Sequence, residues 1–204
     1  MIILGIETSC DETAISLIEA EGNFGQNFVI KILANEVLSQ IAIHQQYGGV
    51  FPMVAKREHA KNLIPLFMKV LEESNFLDSR FKIQDSRRNK KIKSKLLSTL
   101  SFQLSAILER EPELWKRFEK EILRLQRPPI DAIAVTRGPG LEPALWTGIN
   151  FAKALSAVWD IPLIPINHME GHIFASLLRK DAQISNLPNY LISKENPTNI
   201  QYQI

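Results

Sequence analysis

Two histidines near the end of the sequence have the spacing best suited to chemistry. His168 and His172 stand four positions apart, which on a helix puts both imidazole rings on one face, one turn above the other, so that both can bind one metal ion. They follow an apolar stretch over 161–166 and open a helical pattern, the place where α/β proteins bind ligands. Gly171 inside the first turn costs about 1 kcal/mol relative to alanine, which indicates a close approach there. We interpret the pair as metal ligands, the alternative being ordinary surface or core histidines.

The position of Glu170 distinguishes residues 168–172 from the zinc-protease pattern. In H-E-x-x-H the glutamate directly follows the first histidine and acts as the base. Glu170 comes two residues after His168 and lies about 200° round the helix from it. It cannot be the same kind of base, and a peptidase of that class is excluded. We interpret Glu170 as complementing the helix N-terminus or as supporting a metal ligand from behind.

A polar turn near the start of the sequence is a second candidate site. Residues 8–13 join two predicted strands and hold hydroxyls and carboxylates in one tight turn. Hydroxyls and backbone amides can hold a phosphate, while carboxylates hold its cation or water. The alternative is a solvated turn rich in turn-forming residues. The candidate catalytic residues of this turn are Ser9, Asp11 and Glu12.

A glycine-containing turn provides a third candidate. It lies between a predicted strand over 131–136 and a predicted helix over 144–158. A strand, a glycine loop and a helix N-terminus together form an anion site, although the spacing matches neither a Walker loop nor G-x-G-x-x-G. The candidate substrate- or nucleotide-binding residues are Gly138, Pro139 and Gly140.

The elements that must position these residues are an α/β set. Apolar runs predict strands over 2–7, 13–18 and 28–38, and a helix begins near Met53, where Pro65 is expected to kink it or split it in two. His44 and His59 are as consistent with structural roles as with functional ones. The indoles of Trp146 and Trp159 are expected to pack rather than to stack on a ligand.

Residues 76–127 have the character of an insertion. Residues 80–127 hold 14 Lys and Arg against 6 Asp and Glu, in a chain whose net charge is only +2. Two helical patterns lie within 96–108 and 112–125. The insertion could grip a phosphate backbone. The alternative is a solvated helical hairpin with a loose basic loop.

Composition limits the class of protein. With 204 residues, 45% hydrophobic and 23% charged, the chain can form one domain with a real core. The single cysteine, Cys10, excludes an internal disulfide framework and fits a reducing compartment. The first residues lack the pattern of a signal peptide, and no uncharged apolar run reaches the roughly 18 residues of a membrane span. We expect a cytoplasmic protein that does not contact the membrane.

Taken together, four segments resemble one family, the tRNA threonylcarbamoyladenosine transferases, once named O-sialoglycoprotein endopeptidases or glycoproteases. The match covers roughly residues 1–75 and 128–178. The segments, in the family's order, are Gly5 to Thr13, Gln45 to Pro52 with Arg57 and His59, Arg137 to Leu141, and His168 to His172.

The resemblance implies a fold and a domain organisation. The family has an actin-like, sugar-kinase-like fold of two related α/β lobes, each a mixed sheet with flanking helices. Residues 1–178 would form the first lobe, with the helical basic insertion at 76–127. Residues 179–204 would be a loop or tail leading to a second lobe outside this sequence, which ends before the family's Ser-Gly-Gly-His-Thr loop.

The resemblance also implies an activity. The family transfers a threonylcarbamoyl group from its adenylate to the adenosine beside the anticodon of tRNAs that read codons starting with A. His168 and His172 would hold one divalent metal ion, iron or zinc, with a third ligand, an aspartate, outside this chain. The partners would be tRNA, threonylcarbamoyl-adenylate and fold-related or small proteins of the tRNA-modification complex.

Two departures and two alternatives remain. The insertion is longer than the family's usual link, so its role does not carry over. The second lobe is expected to lie outside this sequence, so this lobe alone is expected to be inactive. One alternative is a non-catalytic paralogue that acts as a dimerising scaffold. The other is an actin-like sugar kinase. The histidine pair argues against both.

Overall fold

A single mixed sheet organises the protein. The computed structural model describes residues 1–22, 27–77 and 100–177. The five strands of the sheet follow the order β3-β2-β1-β4-β5. The first three are antiparallel neighbours, and β4 and β5 continue the sheet parallel to β1. Their bounds are β1 Ile2–Glu7, β2 Glu12–Glu21, β3 Val29–Ser39, β4 Ala132–Gly138 and β5 Leu163–Asn167.

Helices accompany the sheet, as predicted for this α/β fold class. The short helix α1 runs directly into a 3-10 turn, and α3 continues into a π-helix over Phe118–Ile122. Residues 100–107 are also helical. None of the helices in the described ranges is long and apolar enough to cross a membrane. The helices are α1 Ile41–His44, α2 Pro52–Glu73, α3 Pro112–Arg117, α4 Glu142–Trp159 and α5 His168–Leu177.

The parallel pairing brings three polar segments to one edge of the sheet. Because β1, β4 and β5 run in the same direction, their carboxyl ends lie side by side, as in other sheets of this kind. Glu7 ends β1, Gly138 ends β4 and Asn167 ends β5. β5 is an edge strand, a position that tolerates its Pro165.

An apolar core joins the sheet to α2 and α4. Alternate side chains of the strands face it, because successive residues of a strand point to opposite sides. Phe67 of α2 packs edge-to-face on Phe151 of α4, with ring centroids 5.9 Å apart. Trp159 is buried and contacts Phe67, as predicted. Trp146 is 40% exposed with Lys153 Nζ 5.4 Å from its ring, so the packing prediction is wrong for this residue.

The described part of the insertion belongs to the core. Residues on one side of its helices are fully buried, and Phe118 packs edge-to-face on Phe151 at 6.1 Å. The solvated-hairpin alternative is therefore wrong for residues 100–125. The basic run of the insertion and residues 178–204 lie outside the described residues. The buried apolar residues contributed by the insertion are Leu104, Leu108, Leu114, Phe118 and Ile122.

A contact with the insertion accompanies the continuity of α2 through Pro65. The helix runs unbroken from Pro52 to Glu73, so the predicted splitting is wrong. Proline at position 65 has no N–H to donate to the carbonyl of Lys61, four residues earlier. That carbonyl instead accepts a hydrogen bond from Arg117 Nη1 at 3.1 Å. The insertion thus satisfies the group that the proline leaves unpaired.

Candidate functional site

The turn from β5 into α5 fixes the orientation of the histidine pair. The side chain of Asn167 caps the helix, since its Oδ1 accepts hydrogen bonds from Met169 N at 2.9 Å and Glu170 N at 3.3 Å. The helix therefore begins at His168, and His172 lies one turn later. The two Nε2 atoms are 3.0 Å apart, and the ring planes meet at 83°. The Nε2 atom of each ring therefore lies close to that of the other, so one ion could contact both.

This separation suits a shared metal ion. Two metal–nitrogen bonds of about 2.1 Å, at right-angled to tetrahedral geometry, hold their nitrogens about 3.0–3.4 Å apart. The described residues contain no cluster of three or more His, Cys, Asp or Glu side chains arranged to bind a metal. The described chain therefore offers two ligands of such a centre, and the side chain of His172 is exposed.

Glu7 lies behind the pair and is not one of the candidate site residues predicted from the sequence. Its Oε2 is 3.1 Å from Nδ1 of His168, the nitrogen that faces away from His172. The hydroxyl of Thr136 also donates to Oε2, and the backbone N–H of Ser9 donates to Oε1. Burial raises the pKa of Glu7, but the hydrogen bonds from Ser9, Thr136 and His168 outweigh it, so the pKa lies below its usual value. The signal in the sequence was a carboxylate that closes a buried apolar strand.

Ser9 connects the first turn to the histidines. Its hydroxyl is 3.2 Å from Nδ1 of His168, and the residue is buried. Its carbonyl accepts a hydrogen bond from Leu141 N at 2.7 Å, and a Cβ placed on Gly140 would lie 2.6 Å from the same oxygen. Only glycine permits this approach. The structure thus brings the Ser9 turn, the glycine turn and His168 together.

The other two candidates of the first turn lie elsewhere. Asp11 lines a separate cavity of about 370 Å³ with His44, Gly48 and Gly49. Glu12 begins β2 and is exposed. The grouping of Ser9, Asp11 and Glu12 expected from their closeness in sequence is therefore not observed.

Glu170 faces a cavity beside the glycine turn. This cavity, of about 490 Å³, is lined by Arg137, Gly138 and Pro139 of the turn, by Glu170, and by residues at the end of β5. The supporting contact proposed for Glu170 is made by Glu7 instead. The close approach expected at Gly171 is also not observed, since no described protein atom lies within 4 Å of where its Cβ would be.

His59 and His44 make hydrogen bonds that support the fold. His59 Nε2 donates to the carbonyl of Cys10 at 3.0 Å, while its Nδ1 accepts from Thr13 Oγ1 at 2.7 Å. His44 Nε2 donates to Gln40 Oε1 at 3.1 Å. Both rings are buried, and burial lowers the pKa of His59. These hydrogen bonds hold the first turn against α1 and α2.

Comparison with known proteins identifies the family. The model for TsaD, tRNA N6-adenosine threonylcarbamoyltransferase, matches residues 31–79 and 119–193. The chain belongs to this family. The resemblance seen in its motifs is thereby confirmed, and the unmatched residues 80–118 fall within the segment interpreted as an insertion.

Three relatives that carry the same name cover most of this chain. The protein of Dictyoglomus turgidum is 39% identical over 89% of this chain and 37% of its own length. The protein of Thermomicrobium roseum is 37% identical over 90% of this chain and 34% of its own length. The protein of Fusobacterium nucleatum is 33% identical over 99% of this chain and 42% of its own length. The chain thus spans about a third to two fifths of the length of these relatives.

Among solved structures, the chain is similar to YeaZ from Pseudomonas aeruginosa. The TM-score is 0.41 with 14% sequence identity, over 82% of this chain and 45% of that chain. So distant a similarity adds nothing to the assignment, which depends on the family match.

Proposed function

We propose that this chain forms the histidine-bearing part of a tRNA N6-adenosine threonylcarbamoyltransferase. The proposed substrate is a tRNA that reads codons starting with A. The exocyclic amine of the adenosine beside its anticodon attacks the carbonyl carbon of threonylcarbamoyl-adenylate. A carbon–nitrogen bond forms, the bond from that carbon to the phosphate oxygen breaks, AMP leaves, and the amine loses one proton. The observation that carries the proposal is the 3.0 Å approach of His168 Nε2 to His172 Nε2 beside the Ser9 turn.

The histidine pair would hold a divalent metal ion, iron or zinc, together with a third ligand from outside this chain. The two nitrogens fit such an ion in type and separation. When bound, the ion would supply Lewis acidity toward the threonylcarbamoyl carbonyl.

The chain's own residues would orient the groups that react. Aromatic amines are weak nucleophiles, so positioning must provide much of the rate. The cavity of about 490 Å³ beside the glycine turn falls within the size range of small-molecule sites. Gly138 and Pro139 would form its wall toward the nucleotide, and the guanidinium of Arg137 would offset phosphate charge. Asp11 and Glu12 remain predicted contacts on the phosphate side.

The proposed partners follow from the substrate. A tRNA would bring a dense phosphate charge, and the run Arg80 to Lys95 holds eight Lys and Arg with one acidic residue, Asp85. We propose that this run adds electrostatic affinity without selecting a base. The further partners would be fold-related or small proteins of the tRNA-modification complex, and the site of action the cytoplasm.

The scaffold alternative is less well supported. A paralogue that only dimerises has no use for two imidazoles that converge on one point, with a carboxylate behind them. All three relatives described above are named as transferases rather than as scaffolds.

A chimaeric enzyme tests the proposal. Residues 1–177 of this chain would replace the matching part of the Dictyoglomus turgidum relative, which supplies the remaining length. We expect the chimaera to incorporate labelled threonine into unmodified tRNA from threonylcarbamoyl-adenylate, and His168→Ala to lose most of that activity. Glu19→Gln, on β2, is the matched control. A folded chimaera whose transfer rate is unaffected by His168→Ala would contradict the proposal.

A further inference from the structure

We infer that Glu7 is the positioning residue of the histidine pair. Its carboxylate holds His168 in the tautomer that carries hydrogen on Nδ1, and this leaves the Nε2 lone pair directed toward the point shared with His172. The inference deepens the proposed function, because it concerns how the chain prepares the same site. It assigns the supporting role to a residue that lies within the segment Gly5 to Thr13 but is not one of the candidate site residues predicted from the sequence.

The contacts of Glu7 define its direction of hydrogen bonding. A backbone N–H can only donate, and that of Ser9 points at Oε1. The hydroxyl of Thr136 and Nδ1 of His168 both lie against Oε2, the latter at 3.1 Å. A carboxylate that receives hydrogen bonds on both oxygens acts as an acceptor. Nδ1 of His168 must then be the donor, and in the neutral imidazole the other ring nitrogen carries no hydrogen.

Two further described groups lie within hydrogen-bonding distance of His168, the Ser9 hydroxyl and Nε2 of His172, and each can donate or accept. The hydroxyl of Ser9 lies 3.2 Å from Nδ1, but a hydroxyl can donate or accept and adapts to either tautomer. Glu170 lines the cavity beside the glycine turn instead. A carboxylate that accepts from one nitrogen of a histidine while the other binds a metal is a common arrangement, and it fixes both the ring orientation and the tautomer.

The fold holds Glu7 rigidly enough for this role. It ends β1, where it pairs with Ala14 of β2, and Thr136 holds it from β4. His168 follows β5 directly. Three parallel strands of one sheet therefore set the distance between the carboxylate and the ring, rather than a loop.

The substitution Glu7→Gln is expected to reverse the hydrogen bond between residue 7 and His168. The carboxamide has one accepting oxygen and one donating nitrogen. The N–H of Ser9 cannot accept, so the amide oxygen must turn toward it. The amide NH₂ then faces Nδ1 of His168, which must become an acceptor. His168 is driven into the Nε2–H tautomer, and its metal-binding position is blocked.

Two measurements on the 204-residue chain test this. In nitrogen-15 spectra of the metal-free protein, we expect His168 to carry hydrogen on Nδ1 in the unchanged chain and on Nε2 in Glu7→Gln. In calorimetric titration with Zn²⁺, we expect Glu7→Gln to weaken binding about 10- to 100-fold. Glu19→Gln, the same change on β2, should match the unchanged chain in both.

The outcomes separate this inference from the proposed function. If Glu7→Gln binds Zn²⁺ as tightly as the unchanged chain and keeps Nδ1–H, the inference is overturned while the metal site stands. If the tautomer inverts as expected but His168→Ala binds Zn²⁺ normally, the metal assignment fails instead. Should Glu7→Gln not fold, an Nε2–H tautomer of His168 in the unchanged chain would by itself overturn the inference.

Discussion

The contact between Gly148 and Thr8 gives a prediction whose size follows from the structure. A Cβ added at Gly148 would lie 2.3 Å from Thr8 Oγ1 and 3.2 Å from its Cγ2. Thr8 is buried, and its hydroxyl donates to the carbonyl of Ala144 at 2.9 Å. Alanine at 148 must therefore push α4 away from the end of β1 and also turn the threonine, which breaks this hydrogen bond.

Three effects set the expected change in the free energy of unfolding. Overpacking a core costs about 1–3 kcal/mol, and the lost hydrogen bond costs about 1 kcal/mol. Replacing glycine by alanine within a helix recovers about 1 kcal/mol. We therefore expect Gly148→Ala to destabilise the chain by about 2 kcal/mol. Urea unfolding measures this as a lower midpoint at unchanged slope.

Two further variants make the test strict. In a Thr8→Ala background only the Cβ of residue 8 remains close, 3.3 Å from the added Cβ, so Gly148→Ala should destabilise the chain much less than it does with Thr8 present. Gly171→Ala is the matched control, because no described protein atom lies within 4 Å of its added Cβ. It should stabilise the unchanged chain. If Gly148→Ala were stabilising while Thr8 is present, the packing of α4 against the Ser9 turn would be refuted.

Three other predictions concern the core, acid stability and tRNA. Phe118→Ala removes a fully buried ring of the insertion and should lower the free energy of unfolding by about 3–5 kcal/mol. Phe102→Ala, at a ring 76% exposed, should change it by less than about 0.5 kcal/mol; equal effects in urea would contradict the core assignment. Burial lowers the pKa of His59 in the folded state, while the unfolded value is about 6.5. The stability that the neutral His59 contributes is therefore present above about pH 6.5 and is lost as the pH falls below it. The free energy of unfolding should fall by no more than about 1.4 kcal/mol per pH unit. Urea midpoints at falling pH should show a shallower decline in His59→Gln, and an unchanged decline would exclude His59 as the cause. Replacing the basic residues of Arg80 to Lys95 by glutamine in the complete enzyme should reduce the slope of log affinity for tRNA against log salt. No change in slope would mean that the run makes no phosphate contacts.

The parts of the site that depend on local sequence were predictable. A spacing of four residues on a helix dictates that two rings share a face, and the structure places the Nε2 atoms of His168 and His172 3.0 Å apart. The helix start was readable from Asn167, a residue type that caps helices. The strands followed from apolar runs of the expected length.

The parts that depend on distant contacts were not predictable. Glu7 lies 161 residues from His168 and 129 from Thr136, and only the strand order brings them together. The carbonyl that Pro65 leaves without a donor within α2 accepts its hydrogen bond from Arg117, 56 residues away in the insertion. Periodicity reports which face of an element is apolar, but not which partner covers it.

Crystals of the chain grown with Zn²⁺ would test the central claim most directly. An anomalous difference map at the zinc absorption edge should show one peak about 2.1 Å from Nε2 of both His168 and His172. The Nδ1 of His168 should remain on the carboxylate of Glu7. A strong zinc peak elsewhere on a folded chain, with none between the two Nε2 atoms, would contradict the assignment of this pair as metal ligands.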